Sequence, residues 1–213
     1  MPFSKILIIG AAGQTGLFTT KEALKRGLQL NVLVRTPEKL GDIQTSVTVF
    51  KGDATNYQDI LESMRGTQAV ISLIGPIKDS KPGMQPEATT HIVKAMQELG
   101  LKRLITITGG GVPVEGDKPK FADKAIRALM QIVAKKALND GIDHVEVLKK
   151  SHLDWTVVRV PMLNSDPAKG QYQIGMVGSD NLSVKISRAD VANFILDILD
   201  SNDYNQKLPM ISW

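Results

Sequence analysis

Three glycines, Gly10, Gly13 and Gly16, stand between the apolar run "KILII" and an amphipathic stretch that continues to Arg26. Residues without side chains at this spacing bring backbone, and not side chains, up to a ligand. Gly10 permits a tight turn straight off the apolar run. Gly13 leaves room for a phosphate, and Gly16 lets the following helix lie against the strand. The N–H groups around Gln14 and Thr15 then point at an anion, which the positive end of the helix dipole favours. That is binding chemistry. Groups for covalent or acid–base chemistry are scarcer: the 213 residues include no cysteine, which removes thiol catalysis, disulfides and cysteine-held metals. His91, His144 and His152 are not spaced as metal ligands, and a structural or surface role is expected for each.

The elements that position these residues follow from alternating patterns. Strands are expected at residues 5–9, 30–34, 47–51, 69–74, 103–108 and 156–160, most of them almost continuously apolar, as strands covered on both faces should be. Helical patterns fall between them at 16–26, 57–64, 87–99 and 122–150, the last broken at Gly141. A closing helix at 188–199 opens with Ser187 and Asp190, spaced as in a capping box. Short strands are expected within 171–186, where turn residues separate apolar pairs. The alternation predicts an α/β fold: a single Rossmann-type, doubly wound parallel sheet with helices on both faces, in the order 3-2-1-4-5-6, forming one domain over residues 1–213. Two loops rich in Gly, Pro and charge, 76–86 and 109–120, leave the carboxyl edge of that sheet, where open sheets bind ligands.

The second strand chooses the ligand. Proteins that bind NAD usually place an Asp or Glu at its end, to hold the ribose hydroxyls. Here "LNVLV" ends in Arg35, whose planar fork of donors suits the 2′-phosphate of NADP, and Lys39 adds a point charge one turn later. The expected cofactor is NADP(H). A formal charge of +4 with Lys118, Lys120, Lys124, Arg127, Lys135 and Lys136 in one segment reads as a solvated helix face. Nucleic-acid binding would want aromatics among these cations, and only Phe121 is near.

The segments "GAAGQTG", "VLVR", "KGDATN", "SLIG" and "LDWTVVRVP" together resemble the atypical short-chain dehydrogenases of the NmrA-like group, and within it the compact flavin and biliverdin reductases. The resemblance runs nearly the whole length. It implies that Asp53 and Ala54 lie beside the adenine, and that Leu73, Ile74 and Gly75 pass under the ribose and pyrophosphate. It sets Thr108 close to the nicotinamide ribose, as the candidate catalytic residue, and Pro161, Met162 and Leu163 beside the nicotinamide ring. Members of the wider family use a Tyr-x-x-x-Lys pair; here Leu61, Met176 and Leu208 follow the three tyrosines at that spacing. A Thr-Ser step found in the most similar members is Thr108-Gly109 here.

Two functions follow from this reading. One is an NADPH-dependent oxidoreductase that reduces a small conjugated acceptor of flavin, quinone or tetrapyrrole type, taking its proton from solvent. The other is a non-catalytic NADP-sensing regulator with a protein partner. Neither a nucleic-acid nor a membrane partner is expected, since no apolar run approaches the ~18 residues of a spanning helix. A cytoplasmic location is expected, because "MPFSKILIIG" lacks the features of a secretory signal.

Overall fold

Period-two alternation within each strand divides the apolar side chains between two cores. In β1 (Lys5–Ile9), Ile6 and Ile8 enter one core while Leu7 and Ile9 enter the other. The same division holds in β4 (Ala69–Ser72), where Ile71 and Val70 point to opposite cores. Both faces of the sheet are therefore covered. This is a computed structural model, and it describes residues 3–75, 80–178 and 182–213. Residues 76–79 of the expected loop and 179–181 of the expected strand region lie outside the described residues.

The sheet has eight strands in the order β3-β2-β1-β4-β5-β6-β10-β8. Its first six are the parallel order expected from sequence, with β2 at Gln29–Val34, β3 at Thr48–Lys51, β5 at Arg103–Gly109 and β6 at Asp154–Val160. Helices α1 (Gln14–Lys25) and α6 (Arg188–Asp197) pack together on one face. On the other lie α2 (Tyr57–Met64), α3 (Met84–Glu98) and α5 (Lys135–Lys149). The expected cap of the last helix is present: Ser187 Oγ accepts the Asp190 N–H at 3.0 Å and donates to Asp190 Oδ2 at 2.9 Å. Between β2 and β3 the chain forms a 3₁₀ segment, Pro37–Ser46.

Two expectations need correction. The helical stretch 122–150 breaks at Ala134 and not at Gly141, giving α4 (Phe121–Val133) and α5. Gly141 lies inside α5 because the helix passes close over β5 and its loop. A Cβ there would stand 2.7 Å from Thr108 Oγ1 and 2.9 Å from Val112 Cγ2. The glycine serves packing. Second, a C-terminal strand, β10 (Met210–Ser212), extends the sheet, pairing parallel with β6 and antiparallel with β8 (Gln173–Gly175). A separate two-stranded sheet joins β7 (Met162–Asn164) to β9 (Lys185–Ser187).

Candidate cofactor-binding site

Gly10 adopts φ +83°, a conformation that suits glycine, and donates its N–H to Leu33 O at 3.2 Å. A Cβ on it would press on the Leu73 carbonyl at 3.2 Å, so the turn is seated between the ends of β2 and β4. Gly13 caps α1 from an extended conformation and donates to Gly10 O at 2.9 Å. Gly16 does a different job. A Cβ there would meet Gly10 O at 2.1 Å and Ala11 O at 2.7 Å, so only glycine lets α1 press onto the turn. The first turn of α1 has no side-chain cap and no acidic residue, which leaves its N–H end suited to an anion.

Above this turn lies a cleft of about 510 Å³. Gly10 and Gly13 form its floor, with Arg35 and Lys39 on one side. Asp53 and Ala54 stand on a second wall, and Leu73, Ile74 and Gly75 on a third. The second wall is a tight turn: Gly52 N–H donates to Val34 O at 3.0 Å, and Asp53 N–H to Asp59 Oδ2 at 2.8 Å. Asp53 Oδ1 accepts both the N–H and the hydroxyl of Thr55, each at 2.9 Å. The Thr55 N–H most of all, then the Thr55 hydroxyl and the Arg35 charge, outweigh partial burial and hold the Asp53 carboxyl below its ordinary range. Arg35 and Lys39 are both exposed on the rim. Lys81 adds a third cation, and Glu87 a carboxylate, from the approach to and first turn of α3.

The remaining expected site residues do not line this cleft. Gln14 is exposed, and Thr15 and Gly16 are buried in α1. Thr108 is buried at the end of β5, its Oγ1 facing Gly141 of α5. Pro161, Met162 and Leu163 follow β6; Met162 is exposed and pairs with Lys185 in the small sheet.

A buried polar chain behind the cleft went unread in the sequence. Gln85 Nε2 donates to Ile74 O at 3.1 Å and to Ile107 O at 3.4 Å, tying the third wall to β5. Thr89 Oγ1 donates to Gln85 O at 2.8 Å and stands 2.7 Å from His144 Nδ1. With the hydroxyl hydrogen committed to Gln85, Nδ1 must carry the imidazole hydrogen, and Nε2 faces Thr106 Oγ1 at 3.4 Å. Burial pushes His144 down to about 4, so it is neutral at physiological pH. The available signal was Gln85 and Thr89, one turn apart on the buried side of α3. The loop after β5 is fixed likewise: Asp117 accepts fully buried Arg159 at 2.7 and 3.0 Å, and the N–H groups of Val114 and Val177 at 3.1 and 3.0 Å. Among the described residues no His, Asp or Glu cluster could hold a metal ion.

A glycine turn, an uncapped helix N-terminus and a cleft over the carboxyl ends of β1, β2 and β4 define a dinucleotide-binding protein. The chain belongs to the NAD(P)H-binding family, whose model matches residues 10–202. It is similar to an isoflavone reductase homolog of Nicotiana tabacum, 23% identical over 206 residues. That match covers 92% of this chain but 64% of the relative's length. Among solved structures, ChuY, an anaerobillin reductase from Escherichia coli O157:H7, superposes with a TM-score of 0.80 at 20% identity, covering 98% of this chain and 96% of that one. A short-chain dehydrogenase/reductase from Veillonella parvula DSM 2008, solved with NADP, superposes at 0.81 with 22% identity, covering 100% and 95%. These two likenesses establish the fold.

Proposed function

We propose that the protein is an NADPH-dependent oxidoreductase that reduces a small conjugated acceptor of flavin, quinone or tetrapyrrole type. The observation that carries the reading is Arg35 with Lys39 on the rim of the cleft, at the strand end where an acidic residue would select NAD. The residues present fit the cofactor, since a Cβ at Gly10 or Gly13 would crowd the turn and α1 opens without a cap. Gly10, Gly13 and the N–H groups of Gln14 and Thr15 would hold the pyrophosphate, with Gly16 setting the helix against the turn. Arg35 and Lys39 would hold the 2′-phosphate, and Asp53 and Ala54 the adenine. Leu73, Ile74 and Gly75 would underlie the ribose and pyrophosphate, while Thr108, Pro161, Met162 and Leu163 would flank the nicotinamide end. Bound NADPH supplies a hydride; the chain's part is to position the reactants. Without a Tyr-x-x-x-Lys pair, the acceptor takes its proton from solvent. The reductase names of the relatives support this class.

The burial of Thr108 against Gly141 favours a second reading, an NADP-sensing regulator with a protein partner. Spectroscopic NADPH oxidation by purified protein, with FMN, a soluble quinone, biliverdin or no acceptor, separates the two. Acceptor-dependent oxidation, faster with NADPH than with NADH, is expected. Tight NADPH binding with no turnover on any acceptor would leave the regulator.

A further inference from the structure

Helix α4 turns four large apolar side chains to solvent. Phe121 is 88% exposed, Ile132 81%, Val133 72% and Leu129 58%. At 100° per residue these four share one face with Ala125 and Ala128, both also exposed. A surface helix ordinarily presents such a stripe to the core. Lys124 borders the face, and Lys135 follows just past the end of α4 as the first residue of α5. Between residues 118 and 136 six cations stand against one carboxylate, Asp123. Asp123 is itself engaged by the Lys120 N–H at 2.8 Å.

We propose that α4 docks the protein on an anionic lipid bilayer, lying in the interfacial plane with Phe121, Leu129, Ile132 and Val133 among the acyl chains. An apolar face edged with lysine is the pattern of a helix lying on such a surface. Each basic residue near anionic headgroups adds about fivefold to binding. A second copy of the chain fits less well, because a face-to-face pair would bring the two sets of six cations together. A 13-residue helix, about 20 Å long, also falls short of the roughly 800 Å² per partner of a stable interface. Such docking departs from the sequence expectations of no membrane partner, which rests only on the want of a spanning run, and of a merely solvated cationic face. No helix among the described residues is long and apolar enough to cross a membrane. A helix lying flat needs no such length. Since α4 follows the loop from the carboxyl end of β5, it emerges on the same edge of the sheet as the cofactor cleft.

The test is flotation of the full chain with vesicles of phosphatidylcholine alone or mixed with phosphatidylglycerol, without NADPH or acceptor. The native protein should float with the mixed vesicles, stay behind with phosphatidylcholine alone, and be released by salt. Phe121→Ser with Ile132→Ser should weaken binding at least about tenfold, with an unchanged thermal melt. Lys124→Glu with Lys135→Glu should do the same by at least about tenfold. No partition onto the anionic vesicles, or equal binding by the apolar variant, would overturn the proposal. So would an α4-dependent dimer in sedimentation velocity without vesicle binding. None of these outcomes bears on the oxidoreductase reading.

Discussion

Arg35 stands exposed on the rim of the cleft, so its hold on a phosphate is charge-assisted but screened by salt. A hydrogen bond to a charged group contributes about 1.5–3 kcal/mol net. Arg35→Ala should therefore weaken NADPH binding roughly 10- to 100-fold and leave NADH binding nearly unchanged. Lys39→Ala should act the same way more mildly, as titration by nicotinamide fluorescence would show. Equal affinity of the native protein for both cofactors would reduce Arg35 to a surface charge. Its position was legible because a strand end can be read from a short run. His144 was not, because its surroundings come from α3, α5 and β5, far apart in the chain. Its imidazole, pushed down to about 4 by burial, stays neutral in the fold at a pH where the unfolded chain, near 6.5, takes up a proton. The unfolded state then binds more protons, so this contribution is full above about 6.5 and is lost as pH falls toward about 4. Between pH 7 and pH 4.5 it should remove about 2.5 kcal/mol of stability. Urea unfolding of the native protein and His144→Gln checks this: the gap between them should narrow by that amount as pH falls, and a constant gap would refute it.

Elements were most legible where their pattern is local. Six parallel strands and the Ser187 cap follow from runs of a few residues, and the structure has them in the expected order. Strand β10 left no comparable trace: three residues after Pro209 become a strand only because β6 and β8 lie on either side. Gly141 misled for a related reason, since a helix breaker and a close-packing residue look alike until the neighbouring strand is known. The loop after β5 read as irregular from its Gly and Pro content, yet Asp117 anchors it to fully buried Arg159 on β6. Removing one partner of a buried ion pair strands the other charge and costs about 3–5 kcal/mol. Asp117→Ala should lower Tm by roughly 6–20 °C for a chain of this size, and proteolysis should cut first within 109–120. A melt within a degree or two of the native one would mean that the loop is held by other contacts.

Across the whole molecule, one eight-stranded sheet runs from β3 to β8, with apolar cores on both faces that draw on strands from both halves of the chain. Neither half can bury its side of the sheet without the other. Unfolding should accordingly be a single calorimetric transition, with the measured and van't Hoff enthalpies equal; two separable transitions would mean that residues 1–213 form more than one unit. The cleft is built from the ends of β1, β2 and β4, so the cofactor should bind the folded chain alone and stabilise all of it together. At a free concentration of 100 times Kd, binding adds about 2.7 kcal/mol. For a chain of this size that raises Tm by roughly 5–11 °C. At a fixed concentration NADPH should raise Tm more than NADH, and Arg35→Ala should remove most of the difference while leaving the unliganded Tm unchanged, because its side chain is exposed. An NADPH shift no larger than the NADH shift in the native protein would separate cofactor binding from the cation pair on the rim.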